Sequence, residues 1–299
     1  MKRILFISIA TFLFIGCKGN ENKKEDKVVT TTINSQEKQL NISILLDLSD
    51  RISPKINPDA QKKDIENIKT ITDFFSSNME KLGAYKAKGK IKIFFSPTLV
   101  NNNINSTVSK LIIDCSKMDN KGRKEVHDSL TNLYSKNLNY IYQQTIASSA
   151  WEGSDIWRFF KDDVKDFCIE NDPNYRNILI ILTDGYLYHK QSEYNNKNRF
   201  SYLLGSRNLK PYRKQNWEQL VEQNDFGIKT ERKDLNDLEV LVLEIKAENQ
   251  SNKMDEDILR FLWEKWFKEM NISDNHYKVY SSNEPAYTKT RIENFLDQK

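Results

Sequence analysis

The sequence predicts an α/β protein, a doubly wound and mostly parallel sheet with helices on both faces and one antiparallel strand. Three observations carry that expectation. From Leu40 onward, apolar runs of strand length alternate with segments of helical periodicity, the pattern of strands joined by covering helices. Two runs, residues 41–46 and 178–182, are apolar almost throughout, as strands covered on both faces require. Both end abruptly in oxygen donors: Asp47 and Ser49 follow the first, Thr183 and Asp184 the second. In open α/β sheets ligands gather beyond the carboxyl ends of strands, so two such ends can serve one site.

The elements follow in order. Residues 61–82 place Ile65, Ile68, Ile71, Phe74, Phe75, Met79 and Leu82 at helical spacing, an amphipathic helix over one sheet face that Gly83 helps to end. Residues 91–95 and 111–113 are short strand candidates separated by an Asn-rich stretch, which reads as a hairpin rather than a βαβ crossover and supplies the antiparallel pair. Helical periodicity resumes over 121–146, and a further helix follows Gly153, Ser154 and Asp155, with Ile156, Phe159, Phe160, Val164 and Phe167 on its apolar side. After the strand at 178–183 comes a polar and aromatic stretch, then a buried strand at 238–243 and a strong helix at 255–270. Trp263 and Trp266 continue that helix's apolar stripe and read as core. A short strand at 276–280 and a helix at 289–296 close the chain. Residues 186–234 are too long for an ordinary connection, and Tyr186, Tyr188, Tyr194, Phe200, Tyr202, Tyr212 and Trp217 argue for an ordered insertion beside Asp184.

The N-terminus has a different character. Met1, Lys2 and Arg3 precede an apolar run from Ile4 to Ile15 and then Gly16-Cys17, the layout of a secretory signal whose core is too short to span a membrane. Phe14-Ile15-Gly16-Cys17 resembles the bacterial lipobox, with Phe where Leu is usual, and implies cleavage before a lipidated Cys17. Residues 18–39 are almost wholly polar and read as a flexible tether. Residues 1–17 are thus expected to be signal and lipidation site, and 40–299 one α/β domain with an insertion at about 186–234. The expected address is the bacterial cell envelope, on the periplasmic side or at the surface.

The chain has 46 Lys and Arg against 42 Asp and Glu. Loss of Lys2 and Arg3 with the signal would halve the excess of four, and the basic residues form no stripe, so no nucleic-acid partner is expected. Cys115 and Cys168 read as a disulfide beyond the membrane or as two buried thiols. His127, His189 and His276 are dispersed, without zinc spacing; His189, close after Asp184, reads as a surface residue.

The order of elements and their terminal residues resembles a von Willebrand factor A (VWA) domain. That family carries a metal-ion-dependent adhesion site built from Asp-x-Ser-x-Ser after the first strand, a Thr from a later loop, and an Asp-Gly ending the fourth strand. Asp47 and Ser49 match the first two positions, Ser154 stands where the threonine is expected, and Asp184-Gly185 matches the last. The resemblance implies a Mg²⁺ site, with Mn²⁺ or Ca²⁺ as alternatives, in which Ser49 and Ser154 are ligands while Asp47 and Asp184 orient waters. Such an ion keeps an open position, which in the family takes a carboxylate from a protein partner. The chain departs from the pattern at Arg51, where a third serine belongs. A guanidinium has no acceptor to offer a metal. Three outcomes are open: Arg51 turns away and water fills the gap, Ser53 reaches in, or Arg51 stands in for the metal by pairing with Asp47 or Asp184. Asp50 is a further modulator at this edge.

Taken singly, each residue has a plainer role: Asp47, Ser49 and Asp184 as turn residues, Ser154 as a helix cap. The expected function is a lipid-anchored module that binds a protein or peptide through an acidic residue, and not an enzyme. Two alternatives differ in chemistry. A phosphohydrolase of haloacid dehalogenase type would use Asp47 as nucleophile and Asp184 as a Mg²⁺ ligand, although Ser49 stands where its general acid is usual. A metal-free envelope scaffold would use Arg51 to neutralise the carboxylates.

Overall fold

The computed structural model describes residues 37–97, 102–249 and 251–298. The signal, Cys17 and the tether up to residue 36 lie outside the described residues. Residues 38–299 form one compact unit. Its centre is a six-stranded sheet: β1 (Gln39–Leu46), β2 (Lys90–Phe95), β3 (Ile112–Asp114), β4 (Tyr175–Leu182), β8 (Leu238–Ile245) and β9 (Tyr277–Ser281), in spatial order β3-β2-β1-β4-β8-β9. Every neighbouring pair is parallel except β2 with β3. The order reverses at β1, with β2 on one side and β4 on the other, the point at which sheets of this kind place a ligand crevice. The strands β5 (Asn195–Asn196), β6 (Arg199–Phe200) and β7 (Gly227–Ile228) make a separate small sheet inside the insertion.

Parallel strands need cover on both faces because each buries side chains in both directions. One face lies under α1 (Ala60–Leu82), α3 (Asn120–Ser148) and α8 (Pro285–Leu296), which pack Ile68, Ile71, Phe75, Leu138, Ile141 and Phe295 against Ile42, Ile44, Ile91, Ile93 and Ile180. The other lies under α4 (Ile156–Arg158), a π-helical turn (Phe159–Asp163), α5 (Val164–Cys168) and α7 (Met254–Glu269), with Phe160, Leu262, Trp263 and Trp266 against Leu45, Leu179, Ile181 and Val242. The insertion adds Leu187, Leu203, Leu209 and Val221 to this second core and carries the short α6 (Trp217–Gln223). It is ordered, and its apolar side chains anchor it.

The doubly wound class with one antiparallel strand matches the expectation. One local reading differs: the Asn-rich stretch before β3 is not a plain hairpin loop, since it contains the helix α2 (Asn102–Val108). Ile104 is buried there and ties that turn to the α1 and α3 side. Cys115 and Cys168 are buried free thiols, which decides for the second of their two readings. Burial pushes the Cys115 thiol up to about 11 and the Cys168 thiol up to about 12. No described helix is long and apolar enough to cross a membrane.

Candidate functional site

At the end of β1 the chain keeps pairing for one more residue, as the Asp47 N–H donates to the Leu182 carbonyl at 3.1 Å. The Asp47 carboxylate then turns back on its surroundings. Oδ1 accepts from the Ser49 N–H at 2.9 Å, and Oδ2 accepts the Thr183 hydroxyl at 2.7 Å. Thr183 thereby joins the ends of β1 and β4, and its own oxygen accepts the Gly185 N–H at 3.1 Å. Ser49 opens a tight 3₁₀ turn over Asp50–Ile52, with the Ile52 N–H bound to the Ser49 carbonyl at 3.1 Å; the Ser49 side chain makes no capping bond.

Arg51 folds inward from that turn and is 4% exposed. Its Nε donates to the Asp47 carbonyl at 2.8 Å and lies 3.9 Å from Asp47 Oδ2. Its Nη2 donates to the Leu182 carbonyl at 3.1 Å and to Asp64 Oδ2 on α1 at 2.6 Å. Tyr142 on α3 donates its hydroxyl to the same Asp64 oxygen. Burial alone would lower the guanidinium's pKa, but Asp64 and Asp47 more than offset it and raise the value. Burial raises the Asp64 carboxyl, with Arg51 and Tyr142 opposing. Of the three outcomes open for Arg51, the structure shows a mixture: it turns away beneath the strand ends, and its strong partner is Asp64, not Asp47 or Asp184. Ser53 lies past the turn, where its carbonyl accepts the Ile56 and Asn57 N–H groups at 2.9 and 2.8 Å, and Asp50 is exposed.

Asp184 follows directly on Thr183. Its Oδ1 accepts the Tyr186 N–H at 3.1 Å, and its carbonyl accepts the Lys246 N–H at 3.0 Å. Gly185 is required by the next step of the chain, since φ is +96° and a Cβ there would sit 2.6 Å from Ile245 Cδ1. Burial, then the nearby Asp47 charge, push the Asp184 carboxyl up to about 7, with Arg51 opposing only in part. Two acidic groups thus share one strand edge, and Arg51 makes its shorter ion pair, 2.6 Å, with Asp64 rather than with Asp47 at 3.9 Å.

Ser154 reaches the same edge from a different segment. It pairs with Tyr188 through two backbone bonds, 2.7 and 3.1 Å, while the next residue, Asp155, donates its N–H to the Ser96 carbonyl just beyond β2 at 3.0 Å. Gly153 permits this approach: φ is +86°, and a Cβ would fall 2.2 Å from the Tyr188 carbonyl oxygen. Ser154 is 4% exposed, and its hydroxyl has no hydrogen-bond partner among the described residues. It is therefore not the helix cap of its plainer reading; that position belongs to Asp155.

The structure joins Asp47, Arg51 and Asp184 through Thr183 and the Leu182 carbonyl, and sets Ser154 at the same end of the sheet without a hydrogen bond to any of them. It also adds residues that sequence reasoning missed. Asp64 and Tyr142 fall on the buried stripes of α1 and α3, and a polar residue on an apolar stripe was the available signal. His189 is not a free surface residue: its Nδ1 stands 3.1 Å from the buried Asp155 carboxylate, which also accepts Arg158 Nε at 2.9 Å and the Ser192 hydroxyl at 2.8 Å.

These donors fit a hard divalent cation. Such an ion takes oxygen ligands and keeps several waters, so hydroxyls with flanking carboxylates suit it. A buried hydroxyl without a partner among the described residues and two neighbouring acidic groups, one of them pushed toward its protonated form, are what it would satisfy. Among the described residues no three His, Cys, Asp or Glu side chains cluster to offer a different metal cage.

No family model matches the chain, and no curated protein matches it either. Among solved structures, it is similar to proximal thread matrix protein 1 from the mussel byssus, in a form with a zinc-occupied MIDAS motif, at 10% identity and TM-score 0.40, over 87% of this chain and 48% of that one. It is also similar to the pilus adhesin SpaC from Lactobacillus rhamnosus GG, at 11% identity and TM-score 0.41, over 87% of this chain and 31% of that one. The chain spans about half the length of the first and under a third of the second. The strand order and the single antiparallel edge strand, rather than these distant likenesses, define a doubly wound α/β fold of the VWA/Rossmann-like kind.

Proposed function

We propose that the chain is a VWA-like binding module that engages an acidic residue of a protein or peptide through a divalent cation, Mg²⁺ or else Mn²⁺ or Ca²⁺. Ser49 and Ser154 supply hydroxyl oxygens, Asp47 and Asp184 orient waters and balance charge, and the partner's carboxylate takes the position left open. Arg51 contributes no oxygen, so water fills the third serine's place. The observation that carries this reading is the Ser154 hydroxyl, buried without a partner among the described residues on a segment that pairs with Tyr188, four residues beyond Asp184. The module is held at the bacterial cell envelope by lipid on Cys17, through the tether that follows.

Binding rather than catalysis is favoured by the state of Asp47. Both of its oxygens are engaged, by the Ser49 N–H and the Thr183 hydroxyl, and a nucleophilic role would break one of those bonds. Calorimetric titration with Mn²⁺ and Mg²⁺ tests the reading directly. One ion binds per chain, and Asp47→Ala loses it by at least about tenfold while the circular dichroism of the fold is kept. Undiminished affinity in that variant would remove the site.

A further inference from the structure

Helices cover the sheet unevenly. On the α1 and α3 side, Ile91 and Ile93 of β2 are fully buried. The alternate residues Lys90, Lys92 and Phe94 face the other way and are only half-buried, although Leu45, Leu179 and Ile181 on the same face of β1 and β4 are closed. The connections explain the gap. The long α3 packs along α1, and the cover of the second face next to β2 ends with the short α5. Phe167, at the end of α5, is 45% exposed with its ring stacked on Phe94 at 5.2 Å. Across the antiparallel pair, Ile112 stands opposite Lys92 on this face and is 52% exposed.

Lys92 distinguishes this patch from incidental apolar exposure. Lys90 beside it is neutralised by Glu170 at 2.5 Å and approaches Asp114 at 4.0 Å. Lys92 makes no ion pair among the described residues, and its ammonium lies 5.8 Å from the centre of the Phe94 ring. Burial lowers its pKa and the like charge of Lys90 adds to the lowering, which Cys168, Glu170 and Asp114 do not reverse. A half-buried ammonium beside an aromatic ring, with no ion pair among the described residues, is relieved by a carboxylate brought by another molecule.

We infer that the outer face of β2 and β3, formed by Lys92, Phe94, Ile112 and Phe167, docks an amphipathic helix of a partner protein that carries a carboxylate within its apolar stripe. A helix is the layer this face lacks, since sheets of this class are closed by helices on both sides. Strand addition fits less well, because β3 offers an edge of only three residues. The surface lies on the flank of the sheet, not beyond its strand ends, so the inference is independent of the cation site.

The probe is a labelled amphipathic peptide of about 18 residues, long enough to hold a helix, with a leucine stripe interrupted by one glutamate; a second peptide has glutamine there. Fluorescence anisotropy with the full chain is expected to show the glutamate peptide binding about tenfold tighter than its twin. Lys92→Met erases that difference, Phe167→Asp abolishes binding of both, and Asp47→Ala or chelation of metal changes nothing. No binding, or equal binding to the Phe167→Asp variant, overturns the proposal. Sedimentation velocity supplies the remaining outcome: a dimer of the wild-type chain that Phe167→Asp dissolves would assign this face to a second copy instead of a partner helix.

Discussion

Arg51 decides what kind of edge this sheet has. A guanidinium taken out of water is stable only when its donors are used, and here they reach the Asp47 carbonyl, the Leu182 carbonyl and the Asp64 carboxylate. The residue ties the ends of two strands to a helix. Its closest partner is Asp64, and what it offers Asp47 and Asp184 offsets their mutual repulsion only in part. Arg51→Met would leave Asp64 buried with Tyr142 as its donor, and urea unfolding should show a loss of about 3–5 kcal/mol. Arg51→Met combined with Asp64→Leu should recover most of that loss, because an apolar pair of similar volume replaces a buried ion pair at little net cost. A single variant within about 1 kcal/mol of wild type would show that the bridge is not structural.

The insertion and α7 are joined by a second buried charge. Asp255, in the first turn of α7 and 1% exposed, takes both Arg213 Nε and Nη2 at 2.7 Å and also the Tyr186 hydroxyl at 3.1 Å. Arg213 Nη2 further donates to the Gly205 carbonyl at 2.8 Å, and the Glu248 N–H donates to the Tyr186 hydroxyl at 3.1 Å. Tyr186, two residues along the chain from Asp184, Gly205 and Arg213 therefore bring three parts of the insertion to one carboxylate at the helix start. The fork geometry of arginine is what allows it, and a lysine could not make both bonds. Hydrogen exchange measured on Arg213→Ala should quicken across 186–234 and the first turn of α7 while β1 and β4 keep their protection. Arg213→Lys should behave like the alanine variant. Exchange that changes only beside residue 213 would reduce the clamp to a local contact.

At the scale of the whole molecule, the parts that were legible are those written in consecutive residues. Apolar runs at β1, β4 and β8 and the stripes of α1 and α7 gave the class, and abrupt run ends at Asp47 and Asp184 marked the edge. What stayed hidden depends on approach in space. The stripe position of Asp64 becomes meaningful only once Arg51 is seen to point beneath the strands, and α2 was obscured because Asn, Ser and Thr favour turns as readily as helix. The partnerless state of the Ser154 hydroxyl is likewise a property of the assembled crevice. That crevice sets a global consequence, since Asp184 holds its proton to about 7 in the folded chain against about 3.9 for an ordinary aspartate. Between those values the folded state binds more protons than the unfolded one, so in the absence of metal stability falls as pH rises through this window. Thermal unfolding in chelator should therefore show a lower melting temperature at pH 8 than at pH 5 from this group. Asp184→Asn should flatten that slope, and saturating Mg²⁺ should do the same by supplying the positive charge that the ionised pair lacks. Wild type and Asp184→Asn with identical pH profiles in chelator would mean that Asp184 ionises without penalty, and that Asp47 and Asp184 do not share a crevice in need of a cation.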